Sequence, residues 1–136
     1  MIAVDSSALL AILLGEPERD QLQAVLDESA ETVISAGTLI EARMVARGRA
    51  GNAMVELLDG LIANTDIVIE PVTERQAALA HSAFVKYGKG NGHPAQLNFG
   101  DLFAYALAKA HGIPLLFKGQ DFVATDIVPA VPGSKR

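Results

Sequence analysis

No cysteine occurs in the chain. Disulfides and thiolate metal sites are therefore excluded, and the composition suits a reducing compartment. No apolar run approaches the roughly 18 residues needed to span a bilayer. The segment ALLAILL near the N-terminus lacks the basic stretch of a signal peptide, and Asp5 stands where Lys or Arg would be expected. The chain reads as mature, cytoplasmic and free of membrane partners. Basic residues are also scarce: 11 Lys and Arg against 16 Asp and Glu leave a net charge of -5. Nucleic-acid binders usually carry the opposite sign. That count is blind to place, because carboxylates that hold divalent cations are locally neutral or positive once loaded.

What is present is enough to build a core. Half of the 136 residues are hydrophobic, a fifth are charged, and Pro and Gly are not in excess, which is globular composition. Residues 1–130 read as one domain and 131–136 as a flexible C-terminal tail. Short apolar runs at 2–4, 32–35, 66–72 and 113–117, with a shorter one at 125–129, read as strands. Between them lie helical patterns at 6–15, 17–29, 38–50, 53–64, 73–88 and 98–112. Ser6 or Ser7, Thr38, Thr73 and Asn98 stand at their starts as N-cap candidates, and 88–96 reads as a glycine-rich loop. Continuous apolar strands alternating with helices predict an α/β fold, a three-layer sandwich with a central, mainly parallel sheet.

In such a sheet, ligands bind beyond the carboxyl ends of the strands. Asp5 directly follows the first strand, Glu41 lies early in the helix after the second, and Asp121 follows the fourth. Asp101 lies in the first turn of the helix feeding that strand. Each acid also has a local role open to it. Thr38–Glu41 and Asn98–Asp101 have the form of capping boxes. Asp5 can be a helix-start acid and Asp121 a turn residue. Their shared end of the sheet is less well explained by four separate local roles. Four convergent carboxylates repel unless a hard cation relieves them, and Mg²⁺ or Mn²⁺ prefers oxygen ligands. The three histidines, His81, His93 and His111, show no zinc-ligand spacing.

These residues resemble the PIN-domain family, and within it the VapC-type toxins of toxin–antitoxin pairs. AVDSSALLAILLGEPE resembles the family's opening, SAGTLIEA its second motif, and NFGDLFAYALAKAHGIPLLFKGQDFVATDI its third and fourth. The resemblance spans Met1 to about Val128. It implies a PIN-like fold and an endoribonuclease dependent on Mg²⁺ (or Mn²⁺) that hydrolyses RNA phosphodiesters with metal-activated water, leaving a 5′-phosphate and a 3′-hydroxyl. It implies Asp5, Glu41 and Asp101 as metal-binding catalytic acids, with Ser7 supporting the first. Many relatives carry an acid where this chain has Gly119 and Gln120, so either Asp121 serves as the fourth or a water takes its place. It also implies a cognate antitoxin protein and a homodimer.

Arg43, Arg47, Arg49, Lys86, Lys89 and Lys118 are candidate phosphate contacts, and a solvated face is the competing reading of each. Other small α/β sandwiches fit less well. A receiver domain needs a phosphoacceptor Asp where Glu70-Pro71 stands, and an Asp-x-Asp phosphatase needs an acid where Ser7 stands. A catalytically inactive PIN-fold binding protein and a housekeeping RNA-processing nuclease stay open beside the toxin.

Overall fold

The computed structural model describes residues 1–131. The elements run β1 (Ile2–Val4), α1 (Ser6–Leu13), α2 (Arg19–Glu28), β2 (Thr32–Ser35), α3 (Ala36–Asn64), β3 (Val68–Glu70), α4 (Glu74–Tyr87), α5 (Phe99–His111) and β4 (Leu115–Leu116). The strands form one sheet in the order β3-β2-β1-β4, with every pairing parallel. Ala3 pairs with Val33 and with Leu115, and Val4 pairs with Leu116.

Successive strand residues point to opposite faces, and the two cores follow that period. Val4, Ile34 and Leu116 pack with Leu9, Ile12, Leu22, Leu39, Leu58 and Ile62 of α1, α2 and α3. Ala3, Val33 and Leu115 pack on the other face with Ala83 and Tyr87 of α4 and Leu102, Tyr105 and Leu107 of α5. β1, β2 and β4 are thus covered on both sides, which is why they show no polar alternation, while the edge strand β3 leaves Val68 and Ile69 exposed. Among the described residues, no helix is long and apolar enough to cross a membrane.

Several boundaries differ from the sequence reading. The fourth strand shrinks from 113–117 to two residues. The Ile113 N–H closes the end of α5 on the Ala108 carbonyl, Pro114 has no N–H, and the Lys118 N–H turns to the Ser7 hydroxyl. The expected strand at 125–129 is only a single parallel bridge, Leu115 to Pro129. The Thr125 hydroxyl takes the Ile127 N–H, and proline supplies no donor to continue a ladder. The third strand begins only at Val68, because the Ile67 N–H still bonds back to Ile62.

Helix starts also differ. Asp5 itself caps α1, its side chain accepting the Ser7 N–H. Ser35, not Thr38, caps α3 through the Gly37 N–H. Thr38 lies buried inside the helix, so the Thr38–Glu41 capping box does not form. The segments expected as separate helices over 38–50 and 53–64 do stay separate: α3 is two helices that meet at a kink where Ala50 and Gly51 leave helical geometry. Gly51 has φ 71°, a conformation that glycine adopts without steric cost. Val131, expected in the tail, is buried against the α1–α3 core; residues 132–136 of that tail lie outside the described residues.

Candidate active site

The carboxyl end of β1 leads into α1, and Asp5 there is an electrostatic neighbour of Glu41 and of Asp101 at the start of α5. Asp5 is 3% exposed. Its Oδ2 accepts the Ser7 N–H at 3.1 Å and the Ser7 hydroxyl at 2.7 Å. Its backbone N–H is held by the Leu116 carbonyl at 2.9 Å. Its second oxygen, Oδ1, is buried without a hydrogen-bond partner. A buried carboxylate oxygen left unpaired is costly. Burial pushes the Asp5 carboxyl up to about 6, against the pull of its bonds to Ser7 and with a further push from the charge of Glu41.

Asp101 stands in the first turn of α5 and is 7% exposed. A complete capping box fixes it: its Oδ2 accepts the Asn98 N–H, and Asn98 Oδ1 accepts the Asp101 N–H, both at 3.0 Å. Burial pushes its carboxyl up to about 7, opposed by the Asn98 bond and reinforced by the charges of Asp121 and Asp5 and by a side-chain hydrogen bond with Asp121. Asp121 itself is exposed, in the turn after β4.

Glu41 reaches the cluster from α3. Its Oε1 accepts the Ser6 hydroxyl at 2.9 Å, so Ser6 serves this contact and does not cap its own helix. Its carboxylate rests against Gly100, the residue before Asp101. Gly37 takes the ring of Phe103 in the same way. One glycine from each helix thus lets α3 and α5 approach closely. Glu41, Asp5, Asp101 and Asp121 form a series of electrostatic neighbours. As the side chains stand, no three His, Asp or Glu residues among those described are gathered to hold a metal ion. The donor chemistry nevertheless fits a hard cation: oxygen ligands only, two carboxyls held out of their ordinary ionisation range, and a buried oxygen without a partner.

The basic candidates divide. Arg43 pairs with Asp59 at 3.0 Å, and Arg47 bonds to Asn52. Lys118 pairs with Glu16 and lies 3.6 Å from Glu18. Lys86 sits over the Tyr87 ring. Lys89 lines a polar hollow of about 350 Å³ with Gln96, Asn98, Gln120 and Asp121. His93 is tied into its own loop by the Ala95 N–H, and His111 meets Glu70 at 2.7 Å.

Residues 2–128 match the PIN domain family. The chain belongs to that family. Among its relatives, Ribonuclease VapC42 of Mycobacterium tuberculosis is 42% identical over 127 residues, 93% of this chain and 97% of the relative. The crystal structure of M. tuberculosis VapC20, described as a sarcin–ricin loop cleaving toxin, superposes with a TM-score of 0.79 at 20% identity. It covers 97% of this chain and 100% of that one. A toxin–antitoxin complex from Klebsiella pneumoniae gives a TM-score of 0.68 at 18% identity, covering 96% and 98%. The PIN fold is therefore common to this chain and to both solved structures.

Sequence reasoning missed Ser6 and Gly100 as parts of the site. Gly100 carried a readable signal. Glycine is a poor helix former, yet it lies in the first turn of a helix, where no turn geometry asks for it.

Proposed function

We propose that this PIN-domain chain is a divalent-metal-dependent endoribonuclease, the toxin of a toxin–antitoxin pair, acting in the cytoplasm. The observation that carries the reading is the buried Oδ1 of Asp5, which has no partner and lies beside a second carboxyl, Asp101, that burial also keeps from ionising readily. The relatives' name as VapC ribonucleases supports the activity.

Asp5 and Asp101 would hold a Mg²⁺ or Mn²⁺ ion, with Glu41 and Asp121 on either side. Such an ion supplies a more acidic water and offsets charge on a phosphodiester. The chain's own contribution is placement. Ser7 and the Asn98 box fix the directions of Asp5 and Asp101 before substrate arrives. Ser6 holds the Glu41 carboxylate, which would help orient the attacking water. Asp121, exposed in the turn after β4, would meet the RNA side of the site. Lys89 beside it offers a charge for a phosphate.

An antitoxin is the natural partner of a chain whose fold recurs in toxin–antitoxin complexes. The homodimer is supported by an apolar face on α3, α4 and α5. Ile40, Met44, Phe84 and Phe99 are all more than 40% exposed, and they line two adjoining hollows that share Phe99. Beside that ridge runs an apolar groove of about 440 Å³ between α4 and α5, floored by Ala77, Ala80 and Ala106. A two-fold interface between identical copies needs a self-complementary patch, and a ridge beside a groove can meet itself in that way.

The test is cleavage of a panel of tRNA, rRNA and mRNA by purified protein with and without Mn²⁺ or Mg²⁺, beside Asp5→Ala and Asp101→Asn. Cleavage that needs the metal and is lost in both variants is expected. Cleavage by all three preparations alike would overturn the assignment. Induced expression without the antitoxin should arrest growth, and normal growth with soluble wild-type protein would overturn the toxin role.

A further inference from the structure

The carboxylate of Glu41 occupies the space that a side chain at position 100 would fill. A methyl built on Gly100 would overlap Oε2 and lie 2.8 Å from Oε1. Gly100 is buried and its backbone lies in the α region, so the glycine is not there to allow a turn. On the other side of the same carboxylate, the Ser6 hydroxyl donates to Oε1 at 2.9 Å. The two contacts come from different helices, α1 and α5, onto a side chain carried by a third, α3. The carboxylate also lies at the N-terminal turn of α5, where the helix dipole favours negative charge.

We infer that Gly100 and Ser6 form a seat for the Glu41 carboxylate, and that both are positioning residues for the metal-binding acids. The inference rests on the proposed metal site. Glu41 is carried on a flexible stem from the second turn of α3 and is only partly buried. Without the seat it would be free to adopt other rotamers, at an entropic cost whenever it had to return. With the seat, one oxygen is committed to Ser6 and the carboxylate is held against the helix that carries Asp101. The position before a catalytic acid is thereby chosen by the needs of a different acid, sixty residues earlier in the chain.

The seat is testable first in the metal-free protein. In the wild-type background Gly100→Ala must displace the Glu41 carboxylate, so its effect on the melting temperature should be less favourable than where that carboxylate is absent. In a Glu41→Ala background the pocket is empty, so the same substitution should raise the melting temperature, because alanine is the better helix former. Equal shifts in the two backgrounds would overturn the contact. A titration with Mn²⁺, followed by calorimetry, gives the second readout. Gly100→Ala and Ser6→Ala should each weaken Mn²⁺ binding by about tenfold or more. Gly60→Ala, at a helical glycine with nothing within 4 Å of the added methyl, should leave it unchanged. Ser6→Ala adds no bulk and so separates loss of the seat from a clash. In cleavage assays both seat variants should lose kcat with KM for RNA changed less than twofold. Wild-type Mn²⁺ affinity in both variants would overturn the positioning role while leaving the nuclease reading intact. A wild-type protein that takes up no Mn²⁺ would instead overturn the metal site, and this role with it.

Discussion

The Ser7 hydroxyl donates to Asp5 Oδ2 at 2.7 Å while accepting the Lys118 N–H at 3.0 Å. One small side chain thus holds the first acid of the site and the strand end that leads to the last. Ser7→Ala removes both bonds and leaves a part-buried N–H without its partner. The expected loss is about 1–3 kcal/mol of stability, read by urea denaturation, with a fall in cleavage of tenfold or more. A variant as stable and as active as wild type would show that Asp5 is held by other contacts.

The raised carboxyls predict an unusual pH dependence for the metal-free chain. Asp101 titrates near 7 and Asp5 near 6 in the fold, against an ordinary 3.8. Between about pH 4 and 7 the folded state therefore holds more protons at these groups than the unfolded state. Their contribution favours folding at acid pH and is lost as pH rises through the folded values. Asp101→Asn cannot take a charge and can still accept the Asn98 N–H. It should raise the melting temperature relative to wild type at pH 8 and change it little at pH 4. A uniform shift at both would contradict the assignment.

Metal addition should follow the same logic from the other side. At pH 8 the acids are ionised and repel, so saturating Mn²⁺ should raise the melting temperature of the wild type by several degrees. At pH 5 the ion must displace protons, and the increase should be smaller. Asp5→Asn should abolish most of the gain at pH 8.

The apolar face gives a prediction about assembly. Phe99 is 75% exposed and Met44 70%. Placing a charge in a two-fold interface puts two like charges into it, since each copy contributes one. Phe99→Asp or Met44→Asp should convert a dimer to a monomer by light scattering, with the melting curve of the monomer still cooperative. A dimer that survives both would place the interface elsewhere.

Away from the site, Tyr105 donates to Asp126 at 2.6 Å, and Asp126 also pairs with Lys109 at 2.8 Å. Tyr105→Phe keeps the packing and removes the bond. It should cost about 0.5–1.5 kcal/mol by denaturation and leave cleavage unchanged.

Much of the fold was legible because its signals are local. The runs at 2–4 and 32–35 are short, apolar and bounded, and both became strands with the same limits. Asn98 and Asp101 formed the capping box that their spacing announced. The misreadings came where two residues competed for one role. Ser35 and Thr38 are both hydroxyl caps three residues apart, and only the packing of α3 decides between them. The run at 125–129 has strand composition, but its donors are consumed by Thr125 or missing at Pro129. The four acids could be assigned to one end of the sheet from topology. Glu41 resting on Gly100 could not be, because that contact depends on how closely α3 and α5 approach.

The bond from the Lys118 N–H to Ser7 joins residues 111 positions apart. Synthesis runs from the N-terminus, so Asp5 is made well before the strand that flanks it and the turn bearing Asp121. In a growing chain Asp5 has Ser7 beside it from the start, but it lacks the Leu116 carbonyl that holds its backbone N–H in the fold. The site is therefore a product of tertiary closure, and no local segment of the chain carries enough of it to act alone.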